Sequence, residues 1–163
     1  RAPRATSFDV GRPPAEDAAL RARTAFHVAL PTHDLSAARA FYGGVLGCPE
    51  GRSAVTWVDY NLFGHQLVLH LVEGYEAARS HNAVDGDAVP VPHTGLAMAL
   101  QDFHALASRV AEAGVEFEIE PHVRFEGQPG EQWTMFFLDP SGNALEFKAM
   151  AEPENLFAKY EVR

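Results

Sequence analysis

Residues 27–47 read HVALPTHDLSAARAFYGGVLG. The stretch opens inside residues 25–30 (AFHVAL), whose alternation suits a half-buried strand. Pro31 is expected to close that strand. Asp34 stands where a helix N-cap should. Leu35, Ala38, Phe41 and Leu46 then form a helical stripe, and Gly47 supplies the C′ stop. Two apolar runs follow, 54–60 and 66–72, joined near 61–64, and they read as neighbouring strands.

The same order returns further along the chain. After a long connection at 73–92, rich in Asp, Gly and Pro, residues 94–100 read as a strand. Asp102 is the expected N-cap of a helix whose inner face carries Phe103, Leu106 and Val110, and Gly114 ends it. A strand at 115–119, a loop at 121–132 and a strand at 133–138 follow. Asp139-Pro140-Ser141-Gly142 has the residues a type I turn prefers, and 143–150 forms the last strand. The chain therefore holds two copies of strand, N-capped helix and antiparallel strands, about 24–72 and 93–150. Neither copy buries its sheet and helix alone, so the two are expected to join around one concavity. The fold class is α+β: two βαβββ modules forming a curved mixed sheet around a cleft.

Alternation assigns side chains to faces. Phe26, Val28 and Leu30 belong to the core, with His27 opposite. Leu67, Leu69 and Leu71 are a core set, leaving Gln66, Val68 and His70 opposite. Leu145 and Phe147 pack inward, leaving Ala144, Glu146 and Lys148. The row His93, Gly95, Ala97, Ala99 is small apart from its histidine. His27, His70, His93 and Glu146 thus lie on the non-helix faces of their strands. Imidazole and carboxylate suit Fe(II), Zn, Ni, Mn or Co.

The remaining composition sets limits. The chain has 163 residues, 13 Lys+Arg, 22 Asp+Glu and a net charge of −9. Residues 1–23 carry five basic and three acidic residues, so residues 24–163 carry −11. This acidic balance argues against nucleic acid or an anionic membrane as partner, and no apolar run reaches the ~18 residues of a membrane span. Cys48, the single cysteine, excludes a disulfide framework and a thiolate metal site. An intracellular, cytoplasmic protein is the expectation. The Arg-rich, acid-free RAPRATS at the start offers an alternative, an organelle interior reached after removal of a transit peptide. Residues 1–23 are expected to form an arm with a short helix around 15–22, residues 24–150 the domain, and residues 151–163 a polar tail.

The segments HVALPTHDLSAARAFYGGVLG and FLDPSGNALEF (137–147) resemble the vicinal oxygen chelate superfamily, which includes glyoxalase I, bleomycin-resistance proteins and extradiol dioxygenases. The resemblance implies paired βαβββ modules chelating a divalent metal through the first and last strands of each module. His27 matches the first-strand ligand and Glu146 the last-strand ligand of the second module. His70 stands on the last strand of the first module. In the second module the usual ligand position falls on Gly95, two residues after His93. A strand shift, or His93 reaching over Gly95, brings it in; otherwise the ligands are His27, His70 and Glu146.

The resemblance implies a metal-dependent enzyme, dioxygenase-like or glyoxalase-like (lyase or isomerase), on a small substrate with vicinal oxygens. Fe(II) is favoured by the two-His, one-carboxylate set, and Glu146 is also the expected catalytic residue. Arg124 is the candidate anion contact, and Trp57 and Trp133 are candidates to line the cleft. The alternatives are a metal-free small-molecule-binding module and an accessory subunit of a larger complex docked through the terminal extensions. A homodimer is expected, since sheet edges of this fold pair between chains.

Overall fold

The computed structural model describes residues 24–160; the expected arm and its short helix lie outside them. Strand β1 (His27–Thr32) leads to α1 (Leu35–Ala38), which continues as a π-helical segment, Arg39–Val45. Strands β2 (Glu50–Ala54), β3 (Trp57–Leu62) and β4 (His65–Leu71) complete the first module. The second holds β7 (Thr94–Ala97), α2 (Leu100–Glu112), β8 (Phe117–Arg124), β9 (Gln132–Leu138) and β10 (Ala144–Met150). Between them lie β5 (Ser80–Val84) and β6 (Asp87–Val91). Pro153–Phe157 forms a 3₁₀ turn beyond β10.

The two four-stranded sheets have matching orders, β1-β4-β3-β2 and β7-β10-β9-β8. In each, the first strand lies parallel to the last and the remaining pairs are antiparallel. The α+β duplication expected from sequence is thus present as two βαβββ modules.

Local chemistry accounts for the boundaries. Asp34 caps α1, its carboxylate accepting from the Ser36 and Ala37 amides at 2.7 and 3.1 Å. Those two bonds hold its pKa below the ordinary value. Pro31 does not end β1, because β1 is an edge strand and its outer side needs no amide donor. The second helix begins at Leu100 with Ala99 as N-cap, placing Asp102 in the first turn, where it favours the positive helix end. Strand β8 runs through Arg124, into the segment expected to be loop. The connection at 73–92 folds into the β5–β6 hairpin. Its turn is Asp85-Gly86, both at positive φ (46° and 88°), which is the two-residue geometry that matches strand twist.

Both helices and the helix-side rows of both sheets share one core. Phe41 meets Phe137 across the modules at 6.2 Å between ring centroids. Tyr42, Phe103, Phe137 and Phe147 are fully buried, each such side chain stabilising by roughly 1.5–3 kcal/mol. The turn after β9 locks the modules together. Asp139 accepts from the Tyr42 hydroxyl at 2.9 Å, Ser141 bonds the Thr32 hydroxyl at 2.9 Å, and the Asn143 side-chain amide donates to the Pro31 carbonyl at 2.9 Å. Burial beside Asp139 pushes the Tyr42 phenol well above its usual range. Cys48 is buried in the same core, and burial pushes its thiol up to about 11. It is an inert packing residue.

Because the helix sides share this core, the opposite faces of the sheets carry the functional rows.

Candidate metal centre

In the first sheet, the register places His27 beside Gln66, and Gln66 beside Asn61. The His27 Nδ1 lies 2.7 Å from Gln66 Oε1, and the Gln66 amide nitrogen donates to Asp59 Oδ2 at 3.1 Å. Arg52 completes the chain by donating to the same Asp59 oxygen at 2.9 Å. With its nitrogen committed to a carboxylate, the Gln66 side chain presents its oxygen to His27. In its neutral form His27 therefore carries its proton on Nδ1 and leaves the Nε2 lone pair open.

In the second sheet, His93 Nδ1 lies 2.6 Å from the Pro90 carbonyl, which only accepts. Its Nε2 faces Glu146 Oε2 at 3.2 Å. The other Glu146 oxygen accepts from the Thr134 hydroxyl at 2.9 Å. Phe136 packs edge-on against the His93 ring at 5.2 Å. A neutral His93 held in this tautomer points a lone pair at a carboxylate. The pair needs a proton or a metal ion between the two acceptors. Two cis ligands at about 2.1 Å from one ion stand about 3.0–3.4 Å apart in octahedral to tetrahedral geometry. The observed separation fits.

Gly95 makes this reach available. It pairs with Glu146, and a Cβ at Gly95 would run into the Glu146 carbonyl oxygen. His93 therefore arrives from two residues away, over a position that has no side chain. Gly95→Ala is expected to force β7 off β10 and to cost more than about 2 kcal/mol. Urea unfolding of the variant measures this.

The other expected site residues are placed as follows. His70 shares the face of His27 but pairs with Pro31 and Trp57. It stands four residues beyond Gln66, ~13 Å along the strand. Gln66, not His70, is level with His27, as Glu146 is level with Gly95. Trp57 is half-buried under the Arg52 guanidinium, 5.7 Å from the ring centroid. Trp133 packs on the helix side against Phe103 and His104, with centroids at 6.1 and 4.9 Å. Arg124 is 3% exposed and donates to Asp87 of the β5–β6 hairpin at 2.6 Å. Asp87 also takes His122 Nε2 at 3.1 Å. Among the described residues, no group of three or more His, Cys, Asp or Glu side chains converges as a metal site within one chain. The chain presents two separate donor groups, His27 on one module and His93 with Glu146 on the other.

The family model for the Glyoxalase/Bleomycin resistance protein/Dioxygenase superfamily matches residues 24–147. The chain belongs to this superfamily. A glyoxalase/bleomycin resistance protein/dioxygenase from Alicyclobacillus acidocaldarius is similar at 31% identity and TM-score 0.71, covering 82% of this chain and 96% of that one. The fosfomycin resistance protein FosX from Listeria monocytogenes shares the fold at 17% identity and TM-score 0.60, covering 82% and 98% of the two chains. A lactoylglutathione lyase from Agrobacterium tumefaciens does so at 19% identity and TM-score 0.56, covering 91% and 100%. None of the curated proteins compared matches the chain at a significant level. Among the described residues, no helix of this superfamily member is long and apolar enough to cross a membrane.

Proposed function

We propose that this superfamily member is a divalent-metal-dependent enzyme acting on a small substrate with two adjacent oxygens. The observation that carries this reading is the His93–Glu146 pair, an imidazole nitrogen and a carboxylate oxygen held 3.2 Å apart, a spacing that fits two ligands of one ion. Pro90, Thr134 and Gln66 act as the outer partners that orient His93, Glu146 and His27. His27, His93 and Glu146 would hold the ion, and the two-His, one-carboxylate set favours Fe(II), with Zn, Ni, Mn and Co as alternatives. When bound, the ion supplies Lewis-acid polarisation of the substrate's adjacent oxygens.

His27 and the His93–Glu146 pair do not converge within one chain, so the reading includes a homodimer. One copy supplies His27 and its partner supplies the other two ligands. Strands β1 and β7 are both sheet edges, where a second copy can approach. Gly95 and Ala97 leave the floor beside Glu146 clear for substrate, and buried Phe136 keeps water from the back of His93. The relatives named as a dioxygenase-superfamily protein and as a lyase frame the reaction choice between dioxygenase-like and glyoxalase-like chemistry.

Metal analysis after anaerobic loading with Fe(II), and with Zn, Ni, Mn and Co in turn, tests the reading. About one equivalent per chain is expected for at least one ion. Uptake below about 0.2 equivalents of every ion overturns it and leaves the metal-free binding module as the better description.

A further inference from the structure

Each described arginine has an ion pair or a hydrogen bond, with the buried Nε groups of Arg79 and Arg124 left unpaired among the described residues. Arg39 pairs with Glu50, Arg52 with Asp59 and Arg124 with Asp87. Arg79 and Arg109 donate to the backbone carbonyls of Gly142 and Leu46. The sequence has only two lysines, Lys148 and Lys159. Lys159 is exposed in the C-terminal tail. Lys148 is half-buried on β10 and lines the same hollow as His93, Gly95, Ala97 and Glu146. No carboxylate among the described residues lies within ion-pair distance of it.

The obvious partner is Glu146, two residues away on the same face. Its oxygens are taken by Thr134 and His93 instead. Among the described residues, a cation is thus left without a counter-ion inside a hollow, in a chain whose net charge is −9. Alternate strand residues on one face stand ~7 Å apart. Ala97, directly beside Lys148 in the register, adds no bulk between them. A single ammonium is a compact point charge that matches a monoanion without the fork of a guanidinium.

We propose that Lys148 binds a carboxylate of the substrate, so that the substrate class is a small carboxylic acid that also carries two adjacent oxygens. The proposal rests on the metal reading above for the adjacent oxygens, and on Lys148 alone for the carboxylate. Arg124, the anion contact expected from sequence, is buried and paired with Asp87.

Two ligands that differ by one carboxylate, 3,4-dihydroxybenzoate and catechol, test this on Zn(II)-loaded protein by titration calorimetry. The wild type should prefer the carboxylate by about 10-fold or more. Lys148→Met should bring the two affinities within about twofold, and Lys148→Arg should keep most of the preference, since it keeps the charge. An unchanged preference in Lys148→Met overturns the proposal. A second readout uses the scarcity of lysine. Reductive ¹³C-methylation gives one dimethyl-lysine signal for Lys148 and one for Lys159, assigned with Lys159→Arg. Saturable movement of the Lys148 signal alone supports the proposal, and equal movement of both overturns it. Should the protein take up no Zn(II) or other ion, the metal reading fails by that measurement. The Lys148 proposal is then judged with benzoate on the metal-free protein, where absence of a saturable Lys148 shift overturns it.

Discussion

Mixing the two variants His27→Ala and Glu146→Ala is expected to restore metal binding that neither shows alone. Removing an outer partner of a ligand typically costs 10–100-fold in metal affinity, so removing a ligand itself should cost more than about 100-fold. Each variant keeps one intact donor group. His27→Ala retains His93 and Glu146; Glu146→Ala retains His27. In a mixed dimer built across the two copies, one site lacks both ligands and the other has all three. Random pairing of equal amounts, after unfolding and refolding together, should return about a quarter of the wild-type metal content. A site assembled within one chain would return none, because every chain in the mixture would carry a defect in its own site. Native mass spectrometry with metal analysis reads the outcome directly. A fully metal-loaded His27→Ala variant would remove His27 from the ligand set altogether.

The second large effect is on stability. Replacing Asp139 with Ala is expected to cost about 3–5 kcal/mol, the range for removing one partner of a buried charged network. Asp139 is buried and accepts four hydrogen bonds. They come from the Tyr42 hydroxyl, the Ser141 and Asn143 backbone amides, and the Asn143 side-chain amide, at 2.8 to 2.9 Å. Its loss strands four donors in the core. Tyr42→Phe removes only one donor and its share, about 1 kcal/mol. Urea unfolding with unchanged m-values tests both, and a loss below about 1 kcal/mol for Asp139→Ala would show that the turn does not hold the modules together.

Much of this fold was legible because its signals are local. Asp34 at the N-cap, the stripe through Phe41 and the Asp-Pro-Ser-Gly turn each act within a few residues. The repeated order of strand, helix and strands followed from them. The β5–β6 hairpin carries its turn signal at Asp85-Gly86, but its flanking residues do not alternate cleanly in hydrophobicity, so the segment reads as a connection. Strand β8 reads from sequence as ending at 119, before the proline at 121, yet it continues to Arg124. As an edge strand it tolerates both the proline and the charges.

The candidate site divides along the same line. Parity along single strands was enough to put His27, His93, Glu146, Gln66 and Lys148 on the open faces, since side chains alternate with period two whatever the neighbouring strand does. Register is a property of two strands. Only the tertiary structure sets Gln66 rather than His70 level with His27, and only it shows His93 crossing the bare position at Gly95 to meet Glu146. Tautomers are less local still. The proton on His93 is set by a carbonyl of the hairpin, and that on His27 by an amide whose own orientation depends on Asp59. The sequence by itself determined which side chains face out of the core, because alternation is intrinsic to a strand. The tertiary structure decided which of them meet, because distance across a sheet depends on pairing that no single segment encodes.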